Sequence, residues 1–159
     1  MESLRTLFGQ MGLQNVETFI ASGNVIFQSR AAEATLVRKI EAGLHEALGF
    51  EVNTFLRSAA ELARIAGHQP FDAAAMASDD AMNIGFLAAP MPAAAVETLM
   101  GLRSEIDDFH VHGREVWWRC ARKQNESTFS NASFERACKL RVTFRGINTV
   151  QKLAAKLGA

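Results

Sequence analysis

The residues best suited to bind a ligand lie near the C-terminal end of the chain, where a predicted strand leads into a predicted helix. Arg145 and Lys152 supply positive charge there. Asn148 and Thr149 have polar side chains that can cap the helix or hydrogen-bond to a ligand. Because the first amides of a helix have no partner within it, they favour an anion. The segment therefore predicts a site for a phosphate, a carboxylate or another small polar group. A capped helix with solvated basic side chains is the plainer alternative.

A second polar cluster, Ser22 and Asn24 around Gly23, separates two short β-prone runs. Glycine allows backbone conformations that other residues avoid, and serine and asparagine bond to nearby amides. Such a turn can form a small cradle of amides for a polar ligand. A hairpin turn with locally satisfied side chains is the plainer interpretation, and the sequence leaves both open.

Other residue types that support catalysis or metal binding occur without the partners they need. His110 and His112 share one face of a predicted strand and could chelate a metal, but no third ligand is evident in the sequence. We therefore expect two solvent-facing histidines, no metal site and no cofactor. Cys120 and Cys138 form no Cys-x-x-Cys motif and are expected to be small buried side chains. No catalytic residue can be named, because neither a nucleophile elbow nor a glycine-rich phosphate loop occurs.

The polar loop at residues 122–131 follows Trp117 and Trp118, and basic residues beside aromatics can bind single-stranded nucleic acid. Successive strand residues face opposite sides, so we expect one indole in the core and the other at the surface. The basic–glycine–aromatic signature of RNA-binding sheets is absent. We therefore do not expect nucleic acid to be a partner.

Length and composition restrict the class of protein. The chain has 159 residues, of which 48% are hydrophobic and 21% charged, as in an ordinary globular protein. No apolar run approaches the roughly 18 residues that span a bilayer, and the first residues lack a signal-peptide pattern. Two cysteines cannot frame a disulfide-rich fold. We therefore expect a cytoplasmic protein without a membrane partner.

Charge is unevenly distributed along the chain, although the formal net charge is zero. Residues 1–100 carry 6 basic and 11 acidic side chains, whereas residues 101–159 carry 11 basic and 6 acidic ones. Such a difference can mark an anion-binding face, or it can attract two halves or two subunits to each other.

The predicted helices and strands that would position these residues occur in nearly the same order in the two halves of the chain. Residues 2–57 have the pattern α-β-β-α-β, and residues 82–145 have the pattern β-α-β-β-α-β. The second is the order of a ferredoxin-like unit, and the first is the same order without its opening strand. We therefore predict an α+β protein with two ferredoxin-like halves in tandem. Residues 1–67 form the incomplete N-terminal half, residues 68–81 a connecting loop, and residues 82–159 the C-terminal half with a final helix.

Two local predictions concern the end of the first half. The alternation of residues 50–57 predicts a half-buried strand. Ser58 and Glu61 have the spacing of a capping box, in which each side chain bonds the other residue's backbone amide. We therefore expect a short helix to begin there.

Two stretches of the sequence resemble a known family. The first is residues 18–27, TFIASGNVIF; the second comprises residues 133–136, SFER, and residues 143–153, TFRGINTVQKL. Together they resemble the bacterial domain-of-unknown-function family 1697 over essentially the whole chain. The resemblance implies a duplicated ferredoxin-like fold and carries no established reaction.

The sequence departs from this family pattern in two places. Family members usually begin with a strand and a glycine-rich turn, whereas this sequence begins with the first helix. We therefore expect the opening strand to be missing, or the true start to lie upstream of Met1. Residues 145–148 read Arg-Gly-Ile-Asn where the family usually has Arg-Asn-Trp-Asn. This version resembles the missing N-terminal motif, which fits an internal duplication.

The sequence thus predicts a binding module without catalytic activity, whose partner is a small anionic or polar ligand. Its predicted ligand-binding residues are Arg145, Asn148, Thr149, Lys152, Ser22 and Asn24. The first alternative is a homodimer or other oligomer with a structural or regulatory role, assembled through the sheet edge that a missing strand would expose. The second alternative is an enzyme whose catalytic residues are distant in sequence.

Overall fold

The computed structural model describes residues 2–19, 24–68, 70–71, 81–120 and 129–158. Within these residues there are six helices and two antiparallel sheets, so the α+β class predicted from the sequence is confirmed. No helix in this part of the chain is both long and apolar enough to cross a membrane. The chain divides into two units, Met1–Leu56 (unit 1) and Arg57–Ala159 (unit 2).

Unit 1 combines two helices with a two-stranded antiparallel sheet. Its elements are α1 (Glu2–Gln10), β1 (Gln14–Phe19), β2 (Asn24–Gln28) and α2 (Glu33–Leu48). Leu36, Ile40 and Leu44 recur at helical spacing on α2 and are buried with Phe8 of α1. The two helices and the two β-prone runs predicted for this region are confirmed. The turn between the runs, at residues 20–23, lies outside the described residues.

The strand predicted at residues 50–57 is wrong, because residues 51–58 belong to neither a helix nor a strand. Val52 and Leu56 pack against the core of unit 1, which explains the alternating pattern. The backbone N–H of Thr54 donates to Glu41 Oε2 at 2.7 Å. The Glu41 side chain of α2 thus takes the place of the strand carbonyl that would accept this N–H in a sheet.

Unit 2 is built around a four-stranded sheet with the strand order β4-β5-β3-β6, in which every neighbouring pair is antiparallel. The β-α-β-β-α-β order expected in this half is present from β3 to β6, followed by a final helix. The elements of the unit are α3 (Ala59–Gly67), β3 (Ala81–Phe86), α4 (Ala93–Met100), β4 (Asp107–His112), β5 (Glu115–Cys120), α5 (Asn131–Cys138), β6 (Thr143–Gly146) and α6 (Ile147–Lys156).

The capping box predicted at the start of α3 is confirmed. Glu61 N–H donates to Ser58 Oγ at 3.1 Å, and Ser58 N–H donates to Glu61 Oε1 at 2.9 Å. The other oxygen of Glu61 accepts from Arg114 Nη2 at 2.8 Å. Burial favours the neutral carboxyl group, but the bonds from Ser58 and Arg114 outweigh it, and the pKa of Glu61 lies below its ordinary value.

Both tryptophans of β5 are buried, so the expectation that one of them lies at the surface is wrong. Trp117 is 1% exposed and Trp118 is 2% exposed. Trp118 shares a core with Leu99 of α4 and Phe134 of α5. The ring of Trp117 lies 4.7 Å from that of His68, which follows α3. Helical segments therefore cover both faces of the sheet at β5, and neither indole remains at the surface.

A buried ion pair fixes the beginning of unit 2 to the β4–β5 hairpin. Arg57 Nε donates to Glu115 Oε2 at 2.7 Å, and the two side chains are 5% and 10% exposed. Arg57 Nη2 also donates to the carbonyl oxygens of Leu87 at 2.8 Å and Arg114 at 3.0 Å. The guanidinium lies 5.3 Å from the ring of Phe86. Burial lowers the pKa of Arg57 more than Glu115 raises it, but arginine remains charged in proteins.

Glu115→Gln should lower the free energy of unfolding by about 3–5 kcal/mol, because it removes the carboxylate that contacts the buried Arg57 guanidinium. Urea unfolding followed by circular dichroism measures the change. Glu135→Gln is the matched control, since Glu135 pairs with an Arg141 side chain that is 71% exposed. The control should cost under about 1 kcal/mol. Equal losses in the two variants would contradict the structural importance of the Arg57 pair.

Gly85→Ala should destabilise the protein by about 1–3 kcal/mol through overpacking. A Cβ at Gly85 would lie 2.7 Å from Phe144 Cε1 and 3.0 Å from Val142 Cγ2. Gly9 on α1 is the control, because no atom lies within 4 Å of a Cβ built there. Gly9→Ala should stabilise its helix by about 0.5–1 kcal/mol. Thermal unfolding compares the two, and a neutral Gly85→Ala would contradict the close contact with Phe144.

Candidate functional site

The basic site predicted from the sequence lies where β6 ends and α6 begins. Gly146 is the N-cap residue of α6, and no side chain caps the helix. Asn148 and Thr149, which could have capped the helix, lie within the first turn of α6 and do not cap it. Without a capping side chain, the amides of this turn retain their tendency to bind an external acceptor.

Arg145 is the cation nearest in sequence to this helix start. It lies opposite Ile84 in the β3–β6 pairing and is partly buried. Its Nη1 donates to Thr143 Oγ1 at 2.7 Å and to the carbonyl oxygen of Phe144 at 3.0 Å. Burial lowers the pKa of Arg145, although the guanidinium remains charged. These bonds hold a partly desolvated positive charge at the end of β6.

The other predicted residues lie on the first two turns of α6. Asn148 and Lys152 are exposed, and their spacing of four positions places them on one face of the helix. Thr149 is partly buried and lies on an adjacent face. The structure thus places all four residues at one strand–helix junction, and it aligns Asn148 with Lys152.

The second predicted cluster lies in unit 1. Asn24 begins β2, and its Nδ2 donates to the carbonyl oxygen of Phe19 at 3.2 Å, across the hairpin. This bond is of the kind expected for a locally satisfied turn. Ser22 lies outside the described residues, and a ligand-binding role for Ser22 and Asn24 stays a prediction.

A cluster of three histidines lies elsewhere in unit 2, and the sequence alone does not reveal it. His68 immediately follows α3, and His110 and His112 belong to β4. One ring nitrogen of each residue lies within 4.8 Å of the other two. His68 Nε2 and His110 Nε2 are 3.4 Å apart, although 42 positions separate the two residues in the chain. The spacing of His110 and His112 could be read from the sequence, whereas only the fold supplies His68.

The environment of this cluster differs between its members. His112 is exposed, as expected, whereas His110 is partly buried. Burial lowers the pKa of His110, and the nearby His68 and His112 lower it further because they oppose an additional positive charge. The Trp117 ring lies 4.7 Å from the His68 ring and 6.0 Å from the His110 ring. The imidazoles therefore lie against an aromatic surface with one side open to solvent.

The two cysteines are free and buried, as the sequence predicted. Burial raises the pKa of the Cys138 thiol. A raised pKa disfavours the thiolate, which is the nucleophilic form of cysteine. Cys138 therefore lacks the environment of a catalytic nucleophile.

Residues 1–117 match the family described as protein of unknown function (DUF1697). The chain belongs to this family. The match includes residues 18–27, which carried the first part of the resemblance, whereas residues 133–153 lie beyond it. No curated protein matches this DUF1697 chain.

The fold of this DUF1697 member is similar to that of a conserved bacterial protein, SP0830 from Streptococcus pneumoniae. The two structures have a TM-score of 0.69 and 20% sequence identity. The similarity covers 100% of this chain and 89% of the pneumococcal one. At this level of identity the comparison establishes a shared fold.

Proposed function

We propose that this DUF1697 protein is a binding module for a small anionic ligand at the junction of β6 and α6. The observation that carries the proposal is the α6 N-terminus, which no side chain caps and which directly follows Arg145. The helix dipole and the first-turn amides attract negative charge, and a guanidinium offers several donors to a phosphate or carboxylate. The basic excess of residues 101–159 supports an anion rather than a cation.

Each predicted residue has a distinct role in this proposal. Arg145 supplies a fixed positive charge, because its bonds to Thr143 and Phe144 hold the guanidinium in place. Lys152 adds a mobile charge on the exposed face that it shares with Asn148, whose amide donates to the ligand. Thr149 offers its hydroxyl and backbone amide in the first turn. Ser22 and Asn24 remain the candidates for a second polar site, in unit 1.

We infer further that the tandem ferredoxin-like arrangement holds, with residues 1–67 and 82–159 as its halves and residues 68–81 as the connection. The strand order of unit 2 supports this, since β4-β5-β3-β6 is the order that a β-α-β-β-α-β ferredoxin-like sheet adopts. The α-β-β-α order of unit 1 fits the same unit without the first and last strands of its sequence. Two free cysteines agree with the cytoplasmic compartment that we propose.

Inorganic phosphate should bind the full chain saturably, and Lys152→Ala should weaken the binding about 3- to 10-fold, because one attractive charge is lost. Arg145→Ala should weaken it more, since Arg145 lies at the helix start. Lys156→Ala removes the same charge as Lys152→Ala, but from the last turn of α6. It should change the affinity less than about twofold, because Lys156 lies one turn farther than Lys152 from the start of α6. Titration calorimetry at low ionic strength measures the affinities, since salt screens the charges.

The thermal stability of each variant separates binding from folding. Lys152 is exposed, so Lys152→Ala should melt like the wild type, whereas Arg145→Ala also removes two internal hydrogen bonds. Equal weakening by Lys152→Ala and Lys156→Ala would reject the site at the start of α6. Native mass spectrometry of the freshly purified chain provides a second test. A bound small mass would support the binding module, and a dimer without added mass would favour the homodimeric alternative.

A further inference from the structure

Three of the four histidines in the chain lie together in unit 2. His110 and His112 are two positions apart on β4, so both side chains lie on the same face of the sheet. His68 approaches them from the end of α3, where its backbone N–H donates to the carbonyl oxygen of Ile65 at 3.3 Å. Two independent elements therefore direct imidazoles toward one point beside an edge strand.

One distance within this cluster matches that between two ligands of a metal ion. In tetrahedral zinc coordination, a Zn–N bond of about 2.0–2.1 Å places two ligand nitrogens roughly 3.3–3.4 Å apart. His68 Nε2 and His110 Nε2 are 3.4 Å apart. The same distance also allows a hydrogen bond between the two rings, in which the donor depends on the tautomer. The spacing of the pair therefore suits a shared ion, which would replace the bond between the rings.

We propose that His68, His110 and His112 bind a divalent transition-metal ion, namely Zn²⁺, which three imidazoles and one water bind in known sites. All three ligand nitrogens lie within 4.8 Å of one another, so the third needs only a small movement to complete the set. The rings of His68 and His112 are stacked, with centroids 4.9 Å apart. Because His112 is exposed, its ring can rotate toward the ion without displacing packed side chains.

A second observation concerns Trp117, whose ring lies against all three imidazoles. Its Nε1 is buried, and no hydrogen-bond acceptor for it occurs in the part of the chain that the structure describes. Three protein ligands leave the fourth zinc position for water or an anion. A bound water or anion is the type of acceptor that the Trp117 donor lacks.

This site is separate from the junction of β6 and α6. In the register of the sheet, His110 lies opposite Trp117, Trp117 opposite Ile84, and Ile84 opposite Arg145. Two buried side chains therefore separate the histidine cluster from Arg145. The metal proposal does not depend on anion binding at α6, and each can fail without the other.

The test is a titration of the tag-free full chain with Zn²⁺ in a phosphate-free buffer, after treatment with a chelator. We expect one ion per chain and a higher melting temperature with zinc, since a ligand that binds the folded state stabilises it. His68→Gln, His110→Gln and His112→Gln should each weaken zinc binding at least about tenfold. Mutating a residue that only hydrogen-bonds to a metal ligand already costs about that much affinity, and removing the ligand itself should cost at least as much. His45→Gln is the matched control, because His45 is exposed on α2 in unit 1. It should change the affinity less than about twofold.

Co²⁺ gives an independent readout of the ligands and their geometry. Cobalt in the site should show the intense visible absorption of a tetrahedral complex, and Zn²⁺ should displace it. Bound Co²⁺ should also quench the emission of Trp117, whose ring contacts the cluster. These signals should disappear in His112→Gln, which alters an exposed residue and should leave the fold intact.

Several results would overturn the proposal. One is the absence of saturable zinc binding by the wild-type chain. Another is that His112→Gln and His68→Gln bind zinc as tightly as the wild type does. A third is that His45→Gln weakens zinc binding as much as the variants of the cluster do. A thiolate-to-cobalt absorption band would place the ion on cysteine and would also reject the histidine site.

Discussion

The side-chain alternation of β5 is the constraint on which the rest of unit 2 depends. β5 lies between β4 and β3, and its two adjacent indoles must face opposite sides of the sheet. The indole N–H of Trp118 donates to Asp107 Oδ1 at 2.8 Å, on the side that carries the larger aromatic core. Glu115 shares the face of Trp117 and binds Arg57. A shift of one residue would exchange these faces and leave both buried partners unsatisfied, so the polar contacts specify the register.

The same alternation decides where chemistry can occur on this sheet. The Trp117 face is apolar at its centre, where Ile84 and Trp117 pair across two neighbouring strands. The polar members of the row, His110 and Arg145, lie on the outer strands β4 and β6. A central strand is flanked on both sides, whereas an outer strand leaves room for an exposed or partly exposed polar group. Ligand-binding side chains can therefore occupy the margins of this face without burying unpaired charge in its centre.

Features that depend on neighbours in the sequence could be predicted, and those that depend on a distant partner could not. The spacing of Leu36, Ile40 and Leu44 identifies α2, and the capping box at Ser58 depends only on a residue three positions away. The strand expected at residues 50–57 fails for the opposite reason. Alternation identifies an extended, half-buried segment, but a strand needs a partner, and here Glu41 of α2 accepts a backbone hydrogen bond instead. The sequence offers Asn148 and Thr149 as caps of α6, but neither caps it, because β6 continues directly into the helix and Gly146 occupies the N-cap position.

The two candidate sites differ in the same way: one consists of residues close together in the sequence, and the other of residues that only the fold brings together. The predicted residues at the start of α6 are close together in the sequence, so the sequence reveals them. Proximity in the sequence does not make their side chains converge: Thr149 is partly buried and lies beside the exposed face that carries Lys152. The histidine cluster shows the converse. Its third member is 42 positions from His110 and becomes a neighbour only because α3 ends against Trp117. Convergence of separate elements on one point is therefore stronger support for a site than polar residues that are merely adjacent in the chain.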